Sequence, residues 1–161
     1  MKLRWKRLDG QSGHEAARQL LAALYFEENG SEMPPIFTTE QGKPYFSDGI
    51  WHFSISHTEN HAFCCLSRKN VGIDAESVNR EIDPRIGVRF LSEQEQKRVA
   101  EAANQNEALL RLWVLKEAYA KLTGRGVGNW LKETDFDPKD TRISCVDGCF
   151  LAILEEESYG F

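Results

Sequence analysis

The chain has no apolar run long enough to cross a bilayer. Its longest, Leu20 to Phe26, falls far short of the about 20 residues a membrane helix takes. No apolar stretch follows the basic residues Lys2, Arg4, Lys6 and Arg7, so nothing there reads as a signal peptide. The expected location is the cytoplasm, with no membrane partner. Bases are in the minority. The 20 Lys and Arg against 25 Asp and Glu leave a net charge of −5, which argues against nucleic-acid binding driven by bulk charge. Cysteine is scarce, and Cys64, Cys65, Cys145 and Cys149 lack the spacing of a disulfide framework. They sit in apolar, β-rich stretches and read as buried neutral thiols rather than zinc ligands. Internal repeats and low-complexity tracts are absent. What remains is 41% hydrophobic and 28% charged over 161 residues, a globular composition for one domain or two intimately packed subdomains.

Local patterns give the organisation. Ser12 and Glu15 form a capping-box pattern ahead of a helix whose Ala17, Leu20, Leu21 and Leu24 share a face. Asn29-Gly30 ends it, and Arg18 lies off the apolar face, one turn beyond His14. After the turn at Gly42-Lys43-Pro44, strands are expected at Trp51 to Ser56, Ala62 to Ser67 and Val71 to Asp74. Ser92 and Glu95 form a second capping-box pattern and open a mostly polar, exposed helix. Glu107 to Thr123 is the longest helix, closed by Gly124. Asp147-Gly148 joins a terminal hairpin of Ile143 to Val146 and Cys149 to Leu154. The fold class is α+β with mostly antiparallel sheets, and the one internal boundary falls near Lys69-Asn70.

Three segments carry candidate chemistry. In the extended run Gly72-Ile73-Asp74-Ala75-Glu76, residues two apart share a face, so Gly72, Asp74 and Glu76 point one way. Two carboxylates beside a position without a side chain suit a hard divalent cation carrying phosphate oxygens. On the long helix, Glu117 and Lys121 share a face and Lys116 lies 100° around from Glu117. Such a helix offers a carboxylate and two cations to a charged ligand. The strand ending Ser56-His57 is no nucleophile–base pair, because neighbours on a strand face opposite ways and no Gly-x-Ser-x-Gly elbow surrounds it. Its Ser and His suit a phosphate contact. Each segment alone also has an ordinary reading, as a solvated strand end, a surface ion pair or a polar hairpin corner.

Taken in order, Gly42-Lys43-Pro44, Phe53-Ser54-Ile55-Ser56-His57, Gly72 to Glu76 and Trp113 to Lys121 resemble the 4′-phosphopantetheinyl transferase superfamily. The resemblance is to the branch that activates peptide and polyketide synthetases, and it covers Gly42 to Lys121. It implies two similar α/β halves packed as a pseudo-dimer in a monomer. Residues 1–69 would serve the adenosine end of coenzyme A, and 70–161 the metal and pyrophosphate. It also implies transfer of the phosphopantetheine arm of coenzyme A to a serine of an apo acyl- or peptidyl-carrier protein.

The same resemblance assigns residues. Asp74, Glu76 and Glu117 are the implied ligands of Mg²⁺, with Mn²⁺ as an alternative. Asp74, Glu117 and Lys121 are the implied catalytic set, and Glu117 takes the carrier serine's proton directly or through a water. Arg18, Lys43, Ser56, His57, Lys116 and Lys121 are the implied coenzyme A contacts, with Lys116 and Lys121 on the pyrophosphate. Arg85, Arg89, Lys97, Arg98 and Arg125 form a basic set able to meet an acidic carrier helix. Two rivals stand beside this reading: a non-catalytic relative that binds carrier protein or nucleotide, and an unrelated Mg²⁺-dependent phosphohydrolase.

Overall fold

In the computed structural model, residues 1–157 are described; the last part of the expected 70–161 half, residues 158–161, lies outside them. The chain is α+β, and all its strand pairs are antiparallel. The first sheet has the order β1-β5-β4, from β1 (Lys2–Arg7), β4 (His52–His57) and β5 (His61–Ser67). The charged N-terminal segment is therefore a strand. Leu3 packs against the core cluster that holds Phe63, Cys65 and Val71, and Trp5 stacks over Phe63.

Helix α1 (Gly13–Asn29) lies on this sheet through Ala16, Ala17, Leu21 and Leu24. The Ser12 hydroxyl accepts from the Glu15 backbone N–H at 3.4 Å, and Gly30 closes the helix at φ 68°. A small hairpin, β2 (Ile36–Thr38) with β3 (Pro44–Phe46), follows α1. Its turn carries Gly42 and Lys43.

The second sheet has the order β6-β8-β7, from β6 (Val71–Ser77), β7 (Ile143–Val146) and β8 (Cys149–Glu155). The β7–β8 turn holds Asp147 at φ 47° and Gly148 at φ 76°, the left-handed pair that a two-residue hairpin requires. Cys145, on the edge strand β7, is exposed, correcting the expectation that all four thiols are buried. Cys64 and Cys65 do lie in the core, where burial pushes both thiols up to about 12.

Helix α4 (Gln105–Thr123) packs directly on β6, and Gly72 is the reason. A Cβ there would stand 2.1 Å from the Ala118 carbonyl oxygen and 2.4 Å from the Leu122 nitrogen. The glycine expected to make room for a ligand instead makes room for the helix. The short helix α2 (Pro84–Phe90) and helix α3 (Glu93–Glu101) flank α4. The expected box on α3 is present, but Glu95 is fully buried rather than part of an exposed face.

The two sheets meet at their edge strands, β4 and β6. Ser54 Oγ accepts from the Ile73 N–H at 3.0 Å, and Ser56 Oγ from the Ala75 N–H at 3.1 Å. Side-chain hydroxyls thus satisfy donors that no strand partner takes.

Candidate functional site

A cleft of about 660 Å³ opens beside this junction, between α1, the β2–β3 hairpin, β4, β6 and the C-terminal end of α4. Its wall includes Arg18, Lys43, Ser56, His57, Asp74, Glu117 and Lys121. Residues as far apart in sequence as Arg18 and Lys121 converge because Gly72 lets α4 sit on β6. With Ala118 and Leu122 over Gly72, the neighbouring Glu117 and Lys121 fall beside Asp74.

Asp74 is the centre of the group. It is only 6% exposed. Its Oδ1 accepts from Lys121 Nζ at 2.9 Å and from Ser56 Oγ at 3.1 Å, while its buried Oδ2 has no hydrogen-bond partner. Burial pushes the Asp74 carboxyl up, against the pull of Lys121 and Ser56. Glu76 lies on a second cleft of about 570 Å³, which shares His57 with the first, and is paired with Arg80. Burial and the Asp74 charge raise it, while Arg80 opposes. Glu117 is pushed up to about 7, chiefly by burial and then by Asp74 and Glu76, with Lys121 and Arg80 opposing. Among the described residues, no three His, Cys, Asp or Glu side chains form a ready-made cation cage. Lys121 and Arg80 instead hold Asp74 and Glu76.

The raised Glu117 value sets a stability prediction. In the unfolded chain this carboxyl titrates near 4.5. The folded protein holds the proton more tightly, so stability falls as pH rises from about 4.5 through 7, and the full penalty stands above that. Glu117→Gln mimics the protonated form. It should raise the Tm of the ligand-free protein at pH 8, by roughly 2–4 °C per kcal/mol relieved, and change it little at pH 4.5. Equal shifts at both pH values in thermal unfolding would contradict the assignment.

Lys116 is not at the site, correcting the expected pyrophosphate contact. The 100° separation from Glu117 turns it off the cleft face of α4, and it is fully buried. Its ammonium pairs with Glu95 Oε2 at 2.8 Å and donates to the carbonyls of Leu131, at 2.7 Å, and Thr134. Burial pushes this amine down, with Glu95 opposing. Ser56 also departs from expectation. Its single O–H goes to Asp74, so it is not free to donate to a phosphate.

Lys43 lines the cleft, but its ammonium donates to Asn70 Oδ1 at 2.5 Å and to the Leu122 carbonyl at 2.6 Å, tying the hairpin to the end of α4. His57 is exposed at the end of β4. Gly13 fixes its place, since a Cβ there would come within 2.6 Å of the imidazole. Gly13, Ser54 and Arg80 are positions that the sequence reading did not single out. Only a distant partner gives each its meaning. Of the basic set, Arg85 closes on Asp83, Arg98 on Asp135, and Arg125 lies 4.1 Å over the Trp130 ring.

A family model of the 4′-phosphopantetheinyl transferase superfamily matches residues 70–157. The 4′-phosphopantetheinyl transferase gsp of Aneurinibacillus migulanus is 37% identical over 90 residues, 55% of this chain and 37% of its own length. The 4′-phosphopantetheinyl transferase Sfp of Bacillus subtilis (strain 168) is 32% identical over 93 residues, 56% of this chain and 41% of its own. The uncharacterized protein YieE of Escherichia coli (strain K12) is 31% identical over 142 residues, 84% of this chain and 57% of its own. The chain thus spans about two fifths of the first two relatives and under three fifths of the third. With the motifs brought to one cleft and more than half its length matched, the chain belongs to the 4′-phosphopantetheinyl transferase superfamily.

Proposed function

We propose that the protein transfers the 4′-phosphopantetheine arm of coenzyme A to a serine hydroxyl of an apo acyl- or peptidyl-carrier protein, in the cytoplasm and as a monomer. The observation that carries this is the meeting of Asp74, Glu117 and Lys121 on one cleft wall with Arg18 and His57. In this reading residues 1–69 serve the adenosine end and 70–161 the reacting pyrophosphate, as two halves of a pseudo-dimer.

The donor set fits a divalent cation. Asp74 Oδ2 is a buried carboxylate oxygen without a hydrogen-bond partner, and Asp74, Glu76 and Glu117 are all pushed up. Carboxylate oxygens are hard ligands suited to Mg²⁺ or Mn²⁺. Asp74, Glu76 and Glu117 would hold the ion, which when bound neutralises pyrophosphate charge.

The chain's own groups do the rest. Lys121 sets its ammonium beside the pyrophosphate. Arg18 and His57 bind the 3′-phosphate, and the stem of Lys43 walls the adenosine end. The carrier serine oxygen bonds to the phosphorus that bears pantetheine. The P–O bond to the adenosine side breaks, and adenosine 3′,5′-bisphosphate leaves with the electron pair. Glu117 takes the serine proton, directly or through a water.

The test is intact-mass spectrometry of apo carrier proteins mixed with the enzyme, coenzyme A and Mg²⁺. A phosphopantetheine-sized gain on a carrier serine, lost with chelator, is expected. Coenzyme A binding without gain on any carrier would favour a binding module, and release of the bisphosphate without carrier would favour a hydrolase.

His57→Ala should raise the KM for coenzyme A about tenfold while kcat changes little, since a 3′-phosphate contact is uniform binding. With dephospho-coenzyme A the same change should have little effect. Equal penalties on both substrates would place His57 elsewhere.

A further inference from the structure

Ser54 and Ser56 are two residues apart on β4 and take N–H groups two apart on β6, so the junction is a repeated clip. The second clip does more than the first. Ser56 is 6% exposed, and its hydroxyl both accepts from Ala75 N–H at 3.1 Å and donates to Asp74 Oδ1 at 3.1 Å. A hydroxyl has one proton to donate, so the Ser56 donor is committed to β6. Lys121 takes the same Oδ1, at 2.9 Å. Both side-chain donors that reach the carboxylate converge on one oxygen and leave the other, buried Oδ2, without a partner.

We propose that Ser56 is a positioning residue, orienting the Asp74 carboxylate so that Oδ2 alone is kept for a divalent cation, rather than a contact to coenzyme A phosphate. Anchoring by the Ala75 N–H fixes the hydroxyl, and the hydroxyl fixes the carboxylate. Partners of this kind orient a metal ligand and set its strength, and their loss typically lowers metal affinity about 10–100-fold. The inference rests on the cation reading above, and its test does not depend on transfer.

Ser56→Ala is compared with Ser54→Ala, which removes the same inter-sheet clip without touching Asp74. Mg²⁺ is titrated calorimetrically into the folded protein with coenzyme A present. Ser56→Ala should weaken Mg²⁺ binding about 10–100-fold, and Ser54→Ala less than about twofold, even where the two lower the Tm alike. Ser56→Cys, close in size with a weak donor, should behave like Ser56→Ala, and Ser56→Thr should restore binding. It also serves if the alanine variant does not fold. In the transfer assay, Ser56→Ala should penalise coenzyme A and dephospho-coenzyme A equally. The proposal is overturned if both alanine variants lose Mg²⁺ equally, or if only coenzyme A shows the penalty. It is overturned as well if the unaltered protein takes no Mg²⁺, while the carrier mass gain would still judge the transfer reaction.

Discussion

The Asp74→Ala variant is expected to fold and to lose transfer, with turnover down at least about 10³-fold. Removing one preorganised electrostatic group from an active site typically lowers kcat about 10²–10³-fold. Here the same residue also anchors Lys121 and supplies an unshared carboxylate oxygen. Folding survives because burial already pushes this carboxyl up, so the native state gains little from keeping it charged. Lys121, a third exposed, keeps the Ile55 carbonyl and can take water in place of Asp74. Single-turnover mass spectrometry against far-ultraviolet circular dichroism separates the two effects. Near-normal turnover in a folded Asp74→Ala protein would remove Asp74 from the chemistry.

The Lys116→Ala variant should fail the other way, by destabilisation of about 3–5 kcal/mol, the usual result of stripping one partner from a buried ion pair. Glu95 would be left as an uncompensated charge at zero exposure. The double change Lys116→Met with Glu95→Gln should recover much of this loss. The Gln carbonyl can still accept from the Phe136 N–H, which Glu95 now holds at 2.7 Å, while the Ser92 N–H, also held at 2.7 Å, loses its acceptor and keeps the recovery incomplete. Urea unfolding measures both. Where the double variant folds, its KM for coenzyme A should match that of the parent. A raised KM with normal stability would return Lys116 to the site.

The elements that rest on neighbouring residues were legible in the chain. The Ser12 and Ser92 caps, the Gly30 and Gly124 stops and the Asp147-Gly148 turn are short-range chemistry. Strand β1 was not expected, although Leu3 and Trp5 alternate with Lys2, Arg4 and Lys6, because its basic residues drew attention only as the start of a signal peptide. Lys116 was not legible. Helical geometry separates it from Glu117 and Lys121, yet which face meets the cleft depends on Glu95, a residue on another helix. Ser56 looked like a phosphate contact because its partners, Asp74 and Ala75, lie across a sheet junction. Gly72 was noticed for its missing side chain, but only the position of α4 shows what that space is for.

The serine clips also bear on how the chain behaves while it is being made. An unpaired strand edge is a template for pairing with another molecule. Once the first sheet has formed, β4 is such an edge until β6 arrives, and Ser54 and Ser56 wait for donors only 19 residues further on. That separation keeps loop-closure entropy small. The junction can therefore close soon after Ser77 is available, before α4 exists. Aggregation during synthesis should peak in nascent chains that stop between Ser67 and Val71, with the first sheet complete and β6 absent, and fall once β6 is present.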